Sequence, residues 1–284
     1  MTNTITALIN LIKNPTLNLG DFYNARHKAN ALGDALEEYI KDLYAGTLNE
    51  ENNQTRLEKI ADVISYIGND SNPPDLILKN GDAIEVKKIE SFEGDLQLNS
   101  SHPKHKLLST STMINEACRN SDGGNWKEKD LLYVIGQVKN KKLLSLFMVY
   151  GIDYAASESV YLNIKNRIKD SVESTPNLEF SETNELAKFK RVDPLGITTL
   201  RVRGMWILQN PWKTFKDLAG HKKDCKFDFC AVISNEKYNS FAETQELEKL
   251  LGVIPEFTIS NVKIQNPDNP ALLKEAKLIR FTVY

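Results

Sequence analysis

One stretch restricts this chain more than any other: Pro73-Pro74-Asp75-Leu76-Ile77-Leu78-Lys79-Asn80-Gly81-Asp82-Ala83-Ile84-Glu85-Val86-Lys87-Lys88-Ile89. Leu76, Ile77 and Leu78 precede an Asn-Gly pair, and Ile84 and Val86 follow it. Asn-Gly between apolar runs is the strongest short-range signal for a β-hairpin. Proline offers no N–H to a strand ladder, so the first strand is expected to begin at or near Asp75. Glu85 and Lys87 are two residues apart and therefore point to one face of the second strand. An acid and a lysine on one face of an otherwise apolar hairpin are costly unless that face has a use, because unpaired buried charge is heavily penalised.

The length of the turn decides whether Asp75 joins them. If Asn80-Gly81 alone forms the loop, Asp75 falls opposite Val86 and faces away. If the loop takes in Asp82 as well, Asp75 falls opposite Lys87, and Asp75, Glu85 and Lys87 share a face. A three-residue loop or a bulge near Asp75 is therefore expected. The plain alternative is a solvated hairpin with an incidental acid–lysine pair.

Asp75, followed ten residues on by Glu85-x-Lys87 in a hairpin, resembles the PD-(D/E)xK nuclease signature. Upstream, a helix is read from Arg26 to Ala45, with Leu32, Leu36, Tyr39, Ile40 and Leu43 as its apolar stripe and Gly46 at its end. Gly33, Glu37, Ile40 and Tyr44 lie along one edge of that stripe. Nucleases with this signature often use a helical Glu near the metal, and the resemblance implies that role for Glu37. The alternative is a solvated Glu37 paired with Lys41.

Charge distribution bears on the partner. The net charge is −2, which by itself argues little for a nucleic-acid ligand. Yet Lys188 to Lys226 holds ten Lys or Arg against three Asp or Glu, and Leu32 to Asp75 holds three against ten. A basic lobe can hold a polyanion while acidic groups elsewhere hold cations; two oppositely charged solvated surfaces are the bland reading. Hydrophobic residues at 41% and charged residues at 26% are ordinary for a globular protein. No run approaches the roughly 18 apolar residues of a membrane span. Met1-Thr2-Asn3-Thr4-Ile5-Thr6 lacks a basic signal-peptide start. Three cysteines argue against a disulfide framework, so a reduced, cytoplasmic setting is expected.

The rest of the chain reads as alternating elements. Ile5, Leu8, Ile9, Leu11 and Ile12 mark a first helix stopped by Asn14-Pro15. Leu57 to Ile67 is a short helix or a helix-to-strand connection. Leu131 to Gly136 and Leu143 to Tyr150 are strands that extend the hairpin's sheet. Ser157 to Val172 is a helix, Thr199 to Leu208 a strand, and Phe227 to Ile233 another. A helix from Phe241 to Leu251 and strands at Phe257 to Ile264 and Lys277 to Val283 complete the pattern. No internal repeat or low-complexity linker appears. One elaborated domain over residues 1–284 is the economical organisation, with a catalytic core at about 20–150 and recognition elements at about 95–125 and 185–230.

Within those elements, Ser100, Ser101, Lys104, His105 and Lys106 can reach phosphate oxygens as donors or charges. An exposed polar loop is the competing reading. Arg201 and Arg203 share one strand face and suit bidentate contacts to guanine O6 and N7; phosphate clamping or a salt-bridged surface are the alternatives. His221, Cys225 and Cys230 lack the paired spacing of a structural zinc site.

Longer strings carry a narrower likeness. Gly33 to Gly46 (GDALEEYIKDLYAG), Leu96 to Leu107 (LQLNSSHPKHKL), Trp126 to Gly136 (WKEKDLLYVIG) and Val192 to Pro211 (VDPLGITTLRVRGMWILQNP) resemble Type II restriction endonucleases of the NgoPII-like group. The resemblance implies an α/β restriction-endonuclease-like core, a mixed β-sheet flanked by helices, with an elaborated basic C-terminal half. It implies Mg²⁺-dependent hydrolysis of double-stranded DNA at a short palindrome, GGCC in that group, leaving 5′-phosphates. Asp75, Glu85 and Glu37 would be the metal-site acids, and Lys87 would orient the attacking water. A palindrome implies a homodimer, and a host carrying such an enzyme needs a cognate DNA methyltransferase. A structure-specific repair or junction nuclease on the same core, or a non-enzymatic DNA-binding regulator, are the rival functions.

Overall fold

The computed structural model describes residues 2–20, 23, 32–69, 72–98, 100–174, 179–181, 183 and 185–284. Its centre is the hairpin. Strand β2 (Asn72–Leu78) and strand β3 (Ala83–Ile89) pair antiparallel, with Leu76 opposite Ile84 and Ile77 opposite Ala83. Strand β1 (Ile64–Asn69) pairs with β2 on its other side. Pro73 and Pro74 thus lie inside β2, and the strand does not wait for Asp75. The β1–β2 register slips between Ile67 and Asn69, opposite the prolines, so the missing N–H groups fall in a bulge rather than a ladder.

Beyond β3 the sheet continues with β4 (Glu128–Lys139), β5 (Lys142–Tyr150), β6 (Phe227–Ser234), β7 (Phe257–Asn266) and β8 (Asn269–Val283). Its order is β1-β2-β3-β4-β5-β6-β8-β7, and Lys106–Leu108 pairs with the start of β4. The β3–β4 and β5–β6 pairs are parallel, and the rest are antiparallel. The charged turn between β4 and β5 places Asn140 and Lys141 at positive φ, the geometry of a two-residue hairpin loop.

Helices close one face. Helix α1 (Thr4–Lys13) starts where the Asn3 side chain accepts from the Ile5 and Thr6 N–H groups. Helix α2 (Leu32–Ala45) buries Leu36, Tyr39, Ile40 and Leu43 completely; the three aliphatic side chains each contribute about 1.5–3 kcal/mol of apolar transfer. The expected start of α2 at Arg26 lies outside the described residues. Gly46, at φ +66, ends it. Helix α3 (Asn53–Val63) runs directly into β1. The core on this side takes Leu76, Leu78, Ile84 and Val86 from the hairpin. Ile77, Ala83 and Ile89 face the opposite core, under segments around Leu96–Leu107 and Trp212–Ala219.

Several elements differ from expectation. Thr199–Leu208 is not one strand: Leu200–Val202 pairs with Ala187–Phe189, and Ile207–Leu208 pairs with Leu96–Gln97. Two different partners pull the segment apart around Gly204. The helix expected over Phe241–Leu251 is only Thr244–Glu248, because Leu247 and Leu250 reach the core from a short turn. Strand β8 starts at Asn269, eight residues before the expected Lys277, and forms a long hairpin with β7. Helix α4 (Glu158–Glu173) forms as expected but buries no residue.

Candidate active site

The hairpin turn sets the site. Leu78 N–H donates to Asp82 O and Gly81 N–H donates to Leu78 O, both at 3.0 Å, so Lys79-Asn80-Gly81 is the loop. It has the expected three residues, but Asp82 stays in the ladder and Lys79 takes its place. Asp82 is held there because its carboxylate accepts from the Tyr150 hydroxyl and the Lys237 ammonium, each at 2.7 Å. The register carries Asp75 opposite Glu85 rather than Lys87, without changing its face. Asp75 therefore lies on the Ile77 side, together with Glu85 and Lys87 on the Ala83 and Ile89 side.

Asp75, Glu85 and Lys87 line one open cavity of about 1100 Å³. Lys87 Nζ sits 2.6 Å from Glu85 Oε1. Val86 N–H donates to Asp75 Oδ2 at 2.5 Å. Burial, then the neighbouring Glu85 charge, push the Asp75 carboxyl up to about 8, while Lys87 and the Val86 N–H pull it down. Burial alone would lower Lys87, but Glu85 and Asp75 more than offset it and raise its pKa. The result is concentrated carboxylate charge with one ammonium against it, which a divalent cation would relieve.

Glu37 reaches the same cavity from α2 and adds to the repulsion on Asp75. Lys41, its supposed alternative partner, bonds to Glu38 instead at 2.8 Å. Glu37 does not, however, complete a three-carboxylate cage: among the described residues no three His, Cys, Asp or Glu side chains stand close enough to hold one ion. Asp75 and Glu85 are the closest pair of the three acids, and Glu37 faces them across the same cavity. Two hard oxygen donors fit Mg²⁺, which keeps several waters and takes further ligands from substrate phosphates.

The expected DNA contacts divide. Ser100, Ser101, Arg201 and Arg203 line the cavity with the acids. Lys104 does not: it is buried, and burial lowers its ammonium pKa despite Glu158 and Glu85 nearby. Its backbone N–H donates to the Tyr133 hydroxyl. The His105 ring bonds Ala155 O at 3.0 Å, and Lys106 pairs with Glu128 at 2.6 Å. Both face a second depression beside Lys237 and Lys274. The short strand Lys106–Leu108 turns that part of the loop away, which a run of polar residues does not reveal.

Sequence reasoning missed Thr183 and Glu185 on the cavity wall. Glu185 grips both arginines, and its only sequence signal is an acid just ahead of the basic segment. The discounted zinc reading stays discounted: His221 bonds to Asp228 at 2.9 Å, and Cys230 is buried in β6.

Comparison with known proteins identifies the family. A family model described as NgoPII restriction endonuclease matches residues 2–265. The chain belongs to that family. It is 48% identical over 281 residues to the Type II restriction enzyme NgoPII of Neisseria gonorrhoeae, covering 98% of this chain and 99% of the relative. No solved structure matches. Membership in the NgoPII restriction endonuclease family makes the protein a site-specific deoxyribonuclease. Its mixed sheet flanked by helices is the restriction-endonuclease-like core. Type II restriction enzymes generally use divalent metal ions. Among the described residues no helix is long and apolar enough to cross a membrane.

Proposed function

We propose that this endonuclease hydrolyses double-stranded DNA at GGCC with Mg²⁺ as its cofactor, using Asp75 and Glu85 as ligands and Lys87 beside the attacking water. The supporting observation is that these three side chains share a cavity with Arg201, Arg203, Ser100 and Ser101. A divalent ion, when bound, acidifies water and offsets charge on the phosphate. Asp75 holds its carboxylate in place through the Val86 N–H. Glu85 fixes the Lys87 ammonium at 2.6 Å. From that position Lys87 donates to the water and steadies charge gathering on the phosphate oxygens. Glu37, on the same cavity, serves as a further ligand or as the base that orients the water. Ser100 and Ser101 donate to backbone phosphates. In-line attack leaves a 5′-phosphate and a 3′-hydroxyl.

The full reading is a single-domain cytoplasmic enzyme, core at about 20–150, acting as a homodimer with one site per strand. A cognate methyltransferase protects its host without forming a stable complex with it. The test is a digest of unmethylated plasmid with and without Mg²⁺. Discrete bands that map to GGCC only with Mg²⁺ are expected. Smears or strand-context cutting would favour the junction-nuclease rival and reject the sequence-specific reading.

A further inference from the structure

Arg201 and Arg203 do not project freely into the cavity. Arg201 donates from Nε and Nη2 to the two carboxylate oxygens of Glu185, at 2.9 and 2.8 Å. Arg203 Nε lies 2.6 Å from Glu185 Oε1. One carboxylate thus grips two guanidinium groups by their inner edges. The Glu185 side chain is 13% exposed, against 53% and 60% for the arginines, so the acid sits beneath and the cations above.

The backbone holds the acid in register. Leu186 N–H donates to Val202 O at 3.1 Å, and Glu185 N–H donates to Thr183 Oγ1 at 3.1 Å. Leu200–Val202 pairs with Ala187–Phe189, so the Glu185 side chain lies just past the end of that ladder, beside Arg203. These contacts use Arg201 Nε and Nη2 and Arg203 Nε, so Arg201 Nη1 and the two terminal nitrogens of Arg203 are not among the atoms that hold the acid. The two terminal nitrogens of a guanidinium form a fork that matches guanine O6 and N7; Arg203 keeps both, and Arg201 keeps Nη1 and the second hydrogen of Nη2.

We propose that Glu185 is a positioning residue for sequence specificity, orienting Arg201 and Arg203 toward guanine edges while its own charge repels DNA that offers no such edges. The inference rests on the reading of those arginines as base contacts. Arginine is long and flexible, and an ordered guanidinium loses less freedom on binding. A carboxylate in a DNA cavity weakens phosphate attraction for every sequence, so only a duplex that satisfies the arginine forks recovers the cost. Glu185 reading a cytosine amino group directly is disfavoured, because the arginines cover it.

Binding is measured in Ca²⁺, without cleavage, to a GGCC duplex and to the same duplex with the site scrambled. Glu185→Ala and Glu185→Gln should bind the scrambled duplex as tightly as wild type or more tightly. They should bind the GGCC duplex at least ten-fold more weakly. In an Arg201→Ala/Arg203→Ala background, Glu185→Ala should lose no further discrimination, because the acid acts through those side chains. Wild-type discrimination that survives undiminished in both Glu185 variants overturns the inference alone. Wild-type protein that binds both duplexes equally sinks the base-reading function, and the inference with it. A further loss in the arginine-free background would also overturn it, since the acid would then act on its own.

Discussion

Lys87 keeps its charge where burial would strip it, because Glu85 at 2.6 Å and Asp75 nearby oppose the desolvation. Removing the ammonium should therefore damage the chemistry more than the binding. Lys87→Ala and Glu85→Ala are expected to lower cleavage by roughly 10²- to 10³-fold or more, with GGCC duplex binding retained. Full cleavage by purified Lys87→Ala protein would remove the residue from the mechanism. Asp75 supplies a second test at this scale. Its folded-state pKa is raised from 3.8 to about 8, so between those values the metal-free folded protein takes up a proton there more readily than the unfolded chain does. Without metal, this group's stabilisation is present at low pH and is lost as pH rises through about 8. Mg²⁺ binds the deprotonated form and should remove that slope. Urea denaturation at several pH values, with and without Mg²⁺, measures the difference; identical pH profiles would count against Asp75 as a ligand. The acid–lysine pair was readable from two-residue spacing alone. The grip of Glu185 on Arg201 and Arg203 was not, because the contact joins residues across a strand pair.

The hairpin is an element whose position is enforced from outside. Lys129 Nζ reaches Gly81 O at 3.0 Å and Asp122 Oδ2 at 2.6 Å, and both side chains of the pair are buried. On the other side, Asp82 is tied to Tyr150 and Lys237. These ties hold the loop at Lys79-Asn80-Gly81 and so hold Asp75 on the face of Glu85. Lys129→Ala takes the cation from Asp122, to which the Asn80 N–H and the Ser65 hydroxyl still donate, and should cost about 1–3 kcal/mol in urea denaturation, with cleavage reduced. Lys129→Met with Asp122→Leu should recover most of the stability. If the single variant is as stable as wild type, the clamp is not holding the turn. The Asn-Gly signal announced a hairpin and parity required an odd loop. Which residue dropped out of the ladder was decided by Tyr150 and Lys237, which are far away in the chain. The same limit explains the Thr199–Leu208 segment: its alternation reads as one strand, but two separate partners claim its ends.

At the scale of the whole molecule, one chain carries one hairpin bearing Asp75, Glu85 and Lys87, whereas a palindrome presents two equivalent strands. If two copies act together, each should cut one strand. Co-expressed wild-type and Lys87→Ala chains, isolated as the mixed dimer, are expected to nick plasmid rather than linearise it. Linear product from that mixed species would show that a single site cuts both strands. Amino-acid order by itself determined the hairpin, the face shared by Glu85 and Lys87, the apolar stripe of α2 and the separation of acidic from basic segments, because periodicity and turn chemistry act over a few residues. Only the tertiary structure decided that Lys104 is buried, that Lys106 turns toward Glu128, that Glu37 reaches the cavity of Asp75 and Glu85, and that Glu185 lies under two arginines. Those outcomes depend on which distant strands pair and which charges they bring within a few ångströms, and no local pattern encodes that.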